Sequence, residues 1–184
     1  MIRRIATLFV AGASLLGLSA GIAAGGIGDG SSARAVLRDA AGHRVGLVQL
    51  TRSGAGVRVR VEVNGLSAGF HGFHVHTTGV CTAPLFTSAG GHFNPGDAGH
   101  PNHAADMPVL LVNGDGTGEA RFVSDRLRLA DVVGKALIVH AGPDNYANVP
   151  TRYSATGPDA TTLATGDAGG RSACGVIRRV SDDD

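Results

Sequence analysis

The sequence contains no tryptophan, and only two tyrosines and six phenylalanines among 184 residues. With so few rings, any core has to be filled by Val, Leu, Ala and Ile. Acidic and basic residues nearly balance, 15 against 16, and no basic block occurs, which argues against a nucleic-acid partner. No apolar stretch reaches the ~20 residues that a membrane span requires. No cysteine lies near the N-terminus, which excludes a lipid-modified start. No long amphipathic helical pattern, internal repeat or second domain can be discerned. What is abundant is glycine, 29 residues, a content that fits a turn-rich β protein better than a helical one.

Residues 1–24 read as a secretory signal peptide. Arg3 and Arg4 supply a positive start, residues 5–18 an apolar stretch, and Ala20 and Ala23 small-residue cleavage sites, so cleavage is expected near 20–25. Removing the two arginines would take the net charge from +1 to −1. Residues 25–32, rich in Gly, Ala and Ser, are expected to be a flexible segment, and the folded domain to occupy 33–184. The protein is therefore expected to be exported, to the periplasm or to the extracellular side of the cell envelope, with no membrane attachment after cleavage. In an exported chain the two cysteines, Cys81 and Cys174, read as a disulfide. Closing a loop of that length stabilises a fold by roughly 4–5 kcal/mol on the chain-entropy model.

From residue 33 the pattern is one of strands. Residues 57–63 alternate strictly, valines on one face and charges on the other, as a strand with one wet side does. Further strands are expected at 33–38, 44–52, 72–77, 108–113, 117–124, 135–140 and 173–180, with a helical turn at 128–132. The fold class is therefore all-β, an eight-stranded Greek-key β-barrel or sandwich with two long functional loops, 77–106 and 141–170.

The chemistry concentrates in histidine. His74 and His76 stand two apart on an expected strand, so both imidazoles face one way while Phe73 and Val75 face the other. Alone, such a pair is equally compatible with an ordinary half-exposed strand. Downstream, however, come His92, His100, His103, Asp106 and His140. Imidazoles with few thiolates suit copper or zinc rather than calcium or magnesium. His92, His100, His103 and Asp106 would fill a tetrahedral zinc site. His74, His76 and His140 would remain for a second metal, and each ion would have four protein ligands if His92 served both.

Five stretches carry a resemblance in consistent order: Gly72-Phe73-His74-Val75-His76, Gly91-His92-Phe93-Asn94-Pro95, His103 with Asp106, Val139-His140 through Gly142-Pro143-Asp144-Asn145-Tyr146, and Gly170-Arg171-Ser172-Ala173-Cys174-Gly175-Val176. Over about residues 33–180 the chain resembles copper/zinc superoxide dismutase, closest to the exported bacterial form. That family is itself a familiar sandwich architecture. The resemblance implies an enzyme that converts superoxide to oxygen and hydrogen peroxide and protects against extracytoplasmic superoxide. It implies copper on His74, His76, His92 and His140, and zinc on His92, His100, His103 and Asp106, with His92 as the bridge. It further implies that Asp144 braces His74 and His100, that Arg171 holds the superoxide anion beside copper, and that Thr165 narrows the channel. Arg171 and His92 would be the catalytic residues.

The chain departs from the familiar pattern twice. The stretch between His100 and His103 is several residues shorter, which would tighten the zinc loop and weaken zinc. The loop 141–170 has no lysine to steer superoxide, which leaves the attraction to Arg171 and copper. Two alternatives remain at this level: an exported metal-binding relative without activity, and a histidine-rich structural sandwich. Sequence does not choose between a monomer and a homodimer.

Overall fold

A computed structural model describes residues 31–180. The expected signal peptide, most of the 25–32 segment and the tail 181–184 lie outside them. Strands β1 (Ser32–Arg38), β2 (Arg44–Ser53) and β3 (Gly56–Val63) form an antiparallel meander. They are followed by β4 (Gly69–His71), β5 (Phe73–His76), β6 (Leu110–Val112), β7 (Gly118–Ser124), β8 (Ala136–His140), β9 (Arg171–Val176) and β10 (Arg178–Arg179). The principal sheet is antiparallel and eight-stranded, in the order β5-β8-β9-β1-β2-β3-β7, with β10 also pairing β1; β4 and β6 pair separately. The neighbours β9 and β1, β3 and β7, and β5 and β8 are remote in sequence, so crossing connections join the strands of the sheet.

Alternation explains the register. Val57, Val59, Val61 and Val63 are buried, while Arg58 and Glu62 are exposed and Arg60 half-buried. Each valine placed in the core contributes roughly 1.5–3 kcal/mol, and a one-residue slip would carry the charges inward instead. The edge strand β5 obeys the same rule with two different interiors. Phe73 and Val75 join the apolar core, whereas His74 and His76, also buried, face the opposite way into a polar pocket. Strand β8 is buried throughout and ends at His140, its partner β5 running alongside.

The sheet departs from the expected outline in detail. Ser32, assigned to the flexible segment from sequence, is the first residue of β1, where it pairs with Thr51. The single strand expected at 173–180 starts earlier, at Arg171 opposite His140, and divides at Ile177. Ile177 is fully buried, donates its amide to Lys135 O and accepts from Gly134 N, which turns the chain before β10 meets β1. The expected helical turn is α1 (Leu129–Val132). The second long loop contains a further helix, α2 (Ala160–Thr165), not anticipated from sequence. Asp159 caps it by accepting from Thr162 N at 2.8 Å, and Gly166 ends it in the left-handed conformation at φ 59°.

Candidate metal centre

The local backbone of β5, the end of β8 and the loop after β5 bring His74, His76, His92 and His140 together. Their ligand atoms all lie within 4.8 Å of one another, and all four side chains are buried. In three of them one ring nitrogen is already committed. His74 Nε2 donates to Asp144 Oδ2 at 2.6 Å, His76 Nδ1 to Gly90 O at 2.8 Å and His140 Nδ1 to Gly169 O at 3.2 Å. Because carbonyls and carboxylates only accept, these bonds fix the tautomers and leave His74 Nδ1, His76 Nε2 and His140 Nε2 as lone pairs. His76 Nε2 and His140 Nε2 stand 3.3 Å apart, while His74 Nδ1 and His92 Nε2 are buried without any hydrogen-bond partner. Lone pairs turned on one another in a dry pocket are costly unless a cation lies among them.

His92 looks both ways. Its Nδ1 lies 3.1 Å from Asp106 Oδ1 and 3.3 Å from His103 Nδ1, within a second cluster of His92, His100, His103 and Asp106. His100 Nδ1 is 2.8 Å from Asp106 Oδ2 yet makes no hydrogen bond, the arrangement of two donors that share a cation. Asp106 Oδ2 also accepts the His103 amide at 3.0 Å, which ties the short loop to its own carboxylate. Asp144 joins the clusters. Its two oxygens accept from His74 Nε2 at 2.6 Å and His100 Nε2 at 2.7 Å, and the Tyr146 amide adds a third bond at 2.7 Å.

The electrostatics divide the histidines. Burial pushes His74, His76 and His140 down to about 4, 2 and 3, so these three imidazoles are neutral and ready to ligate. His100 behaves oppositely. Burial opposes its charge, but Asp106 and Asp144 on either side outweigh it and raise the ring to about 9. Burial likewise works against ionised Asp106 and Asp144, yet the imidazoles of His100 and its neighbours beside them hold both carboxyls well below the usual range.

Arg171 faces His140 across the β8–β9 ladder. Its guanidinium donates Nη1 to Phe86 O and Nη2 to Gly90 O. Gly90 O is also the acceptor for His76, so one carbonyl ties the arginine to a histidine of the first cluster. Gly90 sits at φ 76°, where L side chains are strained. Cys81 and Cys174 form the disulfide, with Cα atoms 5.7 Å apart, and so fasten the loop carrying Phe86 and Gly90 to β9. Thr165 is the half-buried last residue of α2; its hydroxyl donates to Thr161 O at 2.8 Å and is not brought into bonding with either cluster.

Three contributors escape sequence reasoning. At Gly166 a Cβ would overlap Asp144 Oδ1 and His100 Nε2, so only glycine leaves that bridge intact. Arg126 donates to Pro101 O and Asp106 O, both at 2.8 Å, and so clamps the shortened loop. The Gly90 carbonyl is the third. The helix-ending glycine after a capped segment was a signal for the first; nothing local marks the other two. His71, buried just before β5, bonds the backbone at His140 O and Ser67 O, at 2.7 and 2.9 Å.

The donor set fits copper and zinc: four imidazoles in one cluster, three imidazoles and a carboxylate in the other, with orphaned nitrogens directed inward. Residues 44–177 match the family model described as copper/zinc superoxide dismutase (SODC). A Cu-Zn superoxide dismutase of Mycolicibacterium paratuberculosis is 44% identical over 143 residues, 67% of this chain and 63% of that protein. That of Mycobacterium tuberculosis is 44% identical over 134 residues, 62% of this chain and 55% of its own length. The chain thus spans only 55–63% of these mycobacterial relatives. That of Deinococcus radiodurans is 34% identical over 169 residues, covering 80% of this chain and 85% of the relative. Among solved structures, the clock protein EA4 superposes with a TM-score of 0.67 at 30% identity, over 82% of this chain and 95% of that one.

Proposed function

Because the chain belongs to the copper/zinc superoxide dismutase family, we propose that it converts superoxide to oxygen and hydrogen peroxide outside the cytoplasm. One observation carries the reading: His92 directs its unpartnered Nε2 to the four-histidine cluster and its Nδ1 to the cluster with Asp106. In this reading copper is held by His74, His76, His92 and His140, and zinc by His92, His100, His103 and Asp106. Copper, when bound, supplies the one-electron exchange that oxidises one superoxide and reduces the next, while zinc fixes His92 and does no redox chemistry.

The remaining steps belong to the chain. Arg171 attracts the anion and holds it by charge-assisted hydrogen bonds, with two of its five N–H groups already anchored on Phe86 O and Gly90 O. That anchoring sets the cation at a fixed place beside His76 and His140. His92 Nε2 would take up one proton and deliver it to the departing peroxide, the second proton coming from solvent; its other nitrogen stays oriented by the second cluster. Two superoxide anions and two protons thus yield one oxygen and one hydrogen peroxide. Asp144 keeps His74 and His100 from rotating by accepting from both. Thr165, half-buried at the end of α2, is assigned to narrowing the approach.

Export to the periplasm or beyond the envelope rests on Arg3, Arg4 and the apolar stretch that follows. The Cys81–Cys174 disulfide supports it, since such bonds persist in oxidising compartments. The activity is tested by assaying superoxide decay in the metal-loaded protein and in Arg171→Ala. Acceleration over buffer that is lost in Arg171→Ala at full copper content supports the enzyme; no acceleration over buffer in either protein favours a metal carrier.

A further inference from the structure

The short segment from His100 to Asp106 carries three of the four residues of the second cluster, and its two ends are fastened to different elements. At the first end, His100 N donates to Leu163 O of α2 at 2.8 Å. At the other, Asp106 forms an isolated antiparallel bridge with His74 of β5, while Ala105 N donates to Phe93 O at 3.2 Å. The bend at Pro101 and Asn102 lies between these anchors. Pro101 has no amide hydrogen to give, and Asn102 N turns back to Gly99 O at 2.9 Å. The bend is therefore tied neither to α2 nor to β5 by its own amides.

Arg126 spans that gap from outside. It stands between Ser124, which ends β7 opposite Val57, and the fully buried Leu127, so sheet and core fix its backbone. Its guanidinium donates Nη1 to Pro101 O and Nη2 to Asp106 O, both at 2.8 Å. One acceptor is at the bend, and the other belongs to a residue of the cluster itself. Two N–H groups held in one rigid plane fix the separation of the two carbonyls, which the single ammonium of a lysine does not do. A depression of about 480 Å3, lined by Pro101, Asn102, Asp106, Met107, Arg126 and Tyr146, opens at this place. Tyr146 closes its far side: the ring stacks on His100 with centroids 6.4 Å apart, and the hydroxyl accepts from Val109 N at 2.9 Å. Arg126 is exposed, so its bonds can open to water without disturbing the core.

We infer, on the zinc assignment proposed above, that Arg126 is a positioning residue that latches the 100–106 loop, and that zinc enters and leaves through this depression when the two bonds open. The latch holds His100, His103 and Asp106 near their binding positions before the metal arrives and slows its departure. It thereby offsets the weakening of zinc expected from so short a loop. Charge is not the reason for the place of Arg126. A guanidinium beside a divalent cation repels it, so electrostatics alone would make zinc leave faster with Arg126 than without it. The latch predicts the reverse.

The test follows the release of radiolabelled zinc from the copper- and zinc-loaded protein into an excess of unlabelled zinc. Arg126→Gln and Arg126→Lys should both release zinc roughly 10–100-fold faster than the parent. Arg128→Gln, which removes an exposed arginine two residues on, should release it at the parent rate. In the metal-free proteins, hydrogen exchange at the His103 and Asp106 amides should quicken in both Arg126 variants, while the Val59 and Val61 amides of β3 keep the parent rates. Release from Arg126→Gln at or below the parent rate would overturn the latch, and so would parental release from Arg126→Lys, which keeps the charge. Faster exchange throughout β3 would also overturn it, by showing a general loosening. A parent that takes up no zinc would sink the zinc assignment and the latch together, whereas zinc held by the parent and released at one rate from every variant would sink the latch alone.

Discussion

At Gly166 a hydrogen stands where any side chain would press on the carboxylate that links the two clusters. Its φ of 59° already favours glycine, and the added Cβ would meet Asp144 Oδ1 and His100 Nε2. Gly166→Ala should therefore loosen metals although it alters no ligand. Partners that orient ligands typically change metal affinity 10–100-fold when lost, so roughly that decrease is expected in competitive chelator titrations. Arg171 calls for the opposite signature. It contacts Phe86 O and Gly90 O rather than a metal, so Arg171→Ala should leave copper and zinc content intact while superoxide decay slows roughly tenfold or more. Metal loss accompanying the slower rate would show that the arginine acts by holding the cluster together instead.

The disulfide loop and α2 are the elements that carry these residues to their places. Cys81 and Cys174 couple the loop that supplies Phe86 O and Gly90 O to the strand that supplies Arg171. Cys81→Ser/Cys174→Ser should lower stability by about 2–5 kcal/mol in urea unfolding and also slow superoxide decay. Stability loss without any kinetic change would separate the bridge from the arginine. Much of this level is legible in the sequence. The His74–His76 strand follows from a period of two, and the alternating valines of β3 fix their own register. Less can be read where partners are distant. The capped start at Asp159 and Gly166 frame α2, but a six-residue helix offers little apolar periodicity. The division at Ile177 depends on bonds to the 134–135 turn, and the shared Gly90 carbonyl on how a loop lies over β9.

Over the whole molecule, folding places three neutral histidines and one charged one in a dry interior, and this predicts how the metal-free protein responds to pH. His74, His76 and His140 are depressed to about 4, 2 and 3, so the unfolded chain binds more protons than the folded chain once pH falls below the free imidazole value near 6.5. Stability should drop progressively on that side. His100, raised to about 9, contributes stability that is complete below pH ~6.5 and lost as pH rises through 9. The melting temperature of the metal-free protein should thus peak between those limits. Bound metals should broaden the peak on both sides, because cations then occupy the lone pairs. A flat profile in the metal-free state would contradict the charge assignment. The central claim is more directly tested by pulse radiolysis on the purified protein, with superoxide decay followed while copper and zinc are quantified in the same sample. Decay that scales with bound copper and vanishes on its removal is the predicted result; full copper occupancy with no acceleration over buffer would contradict it.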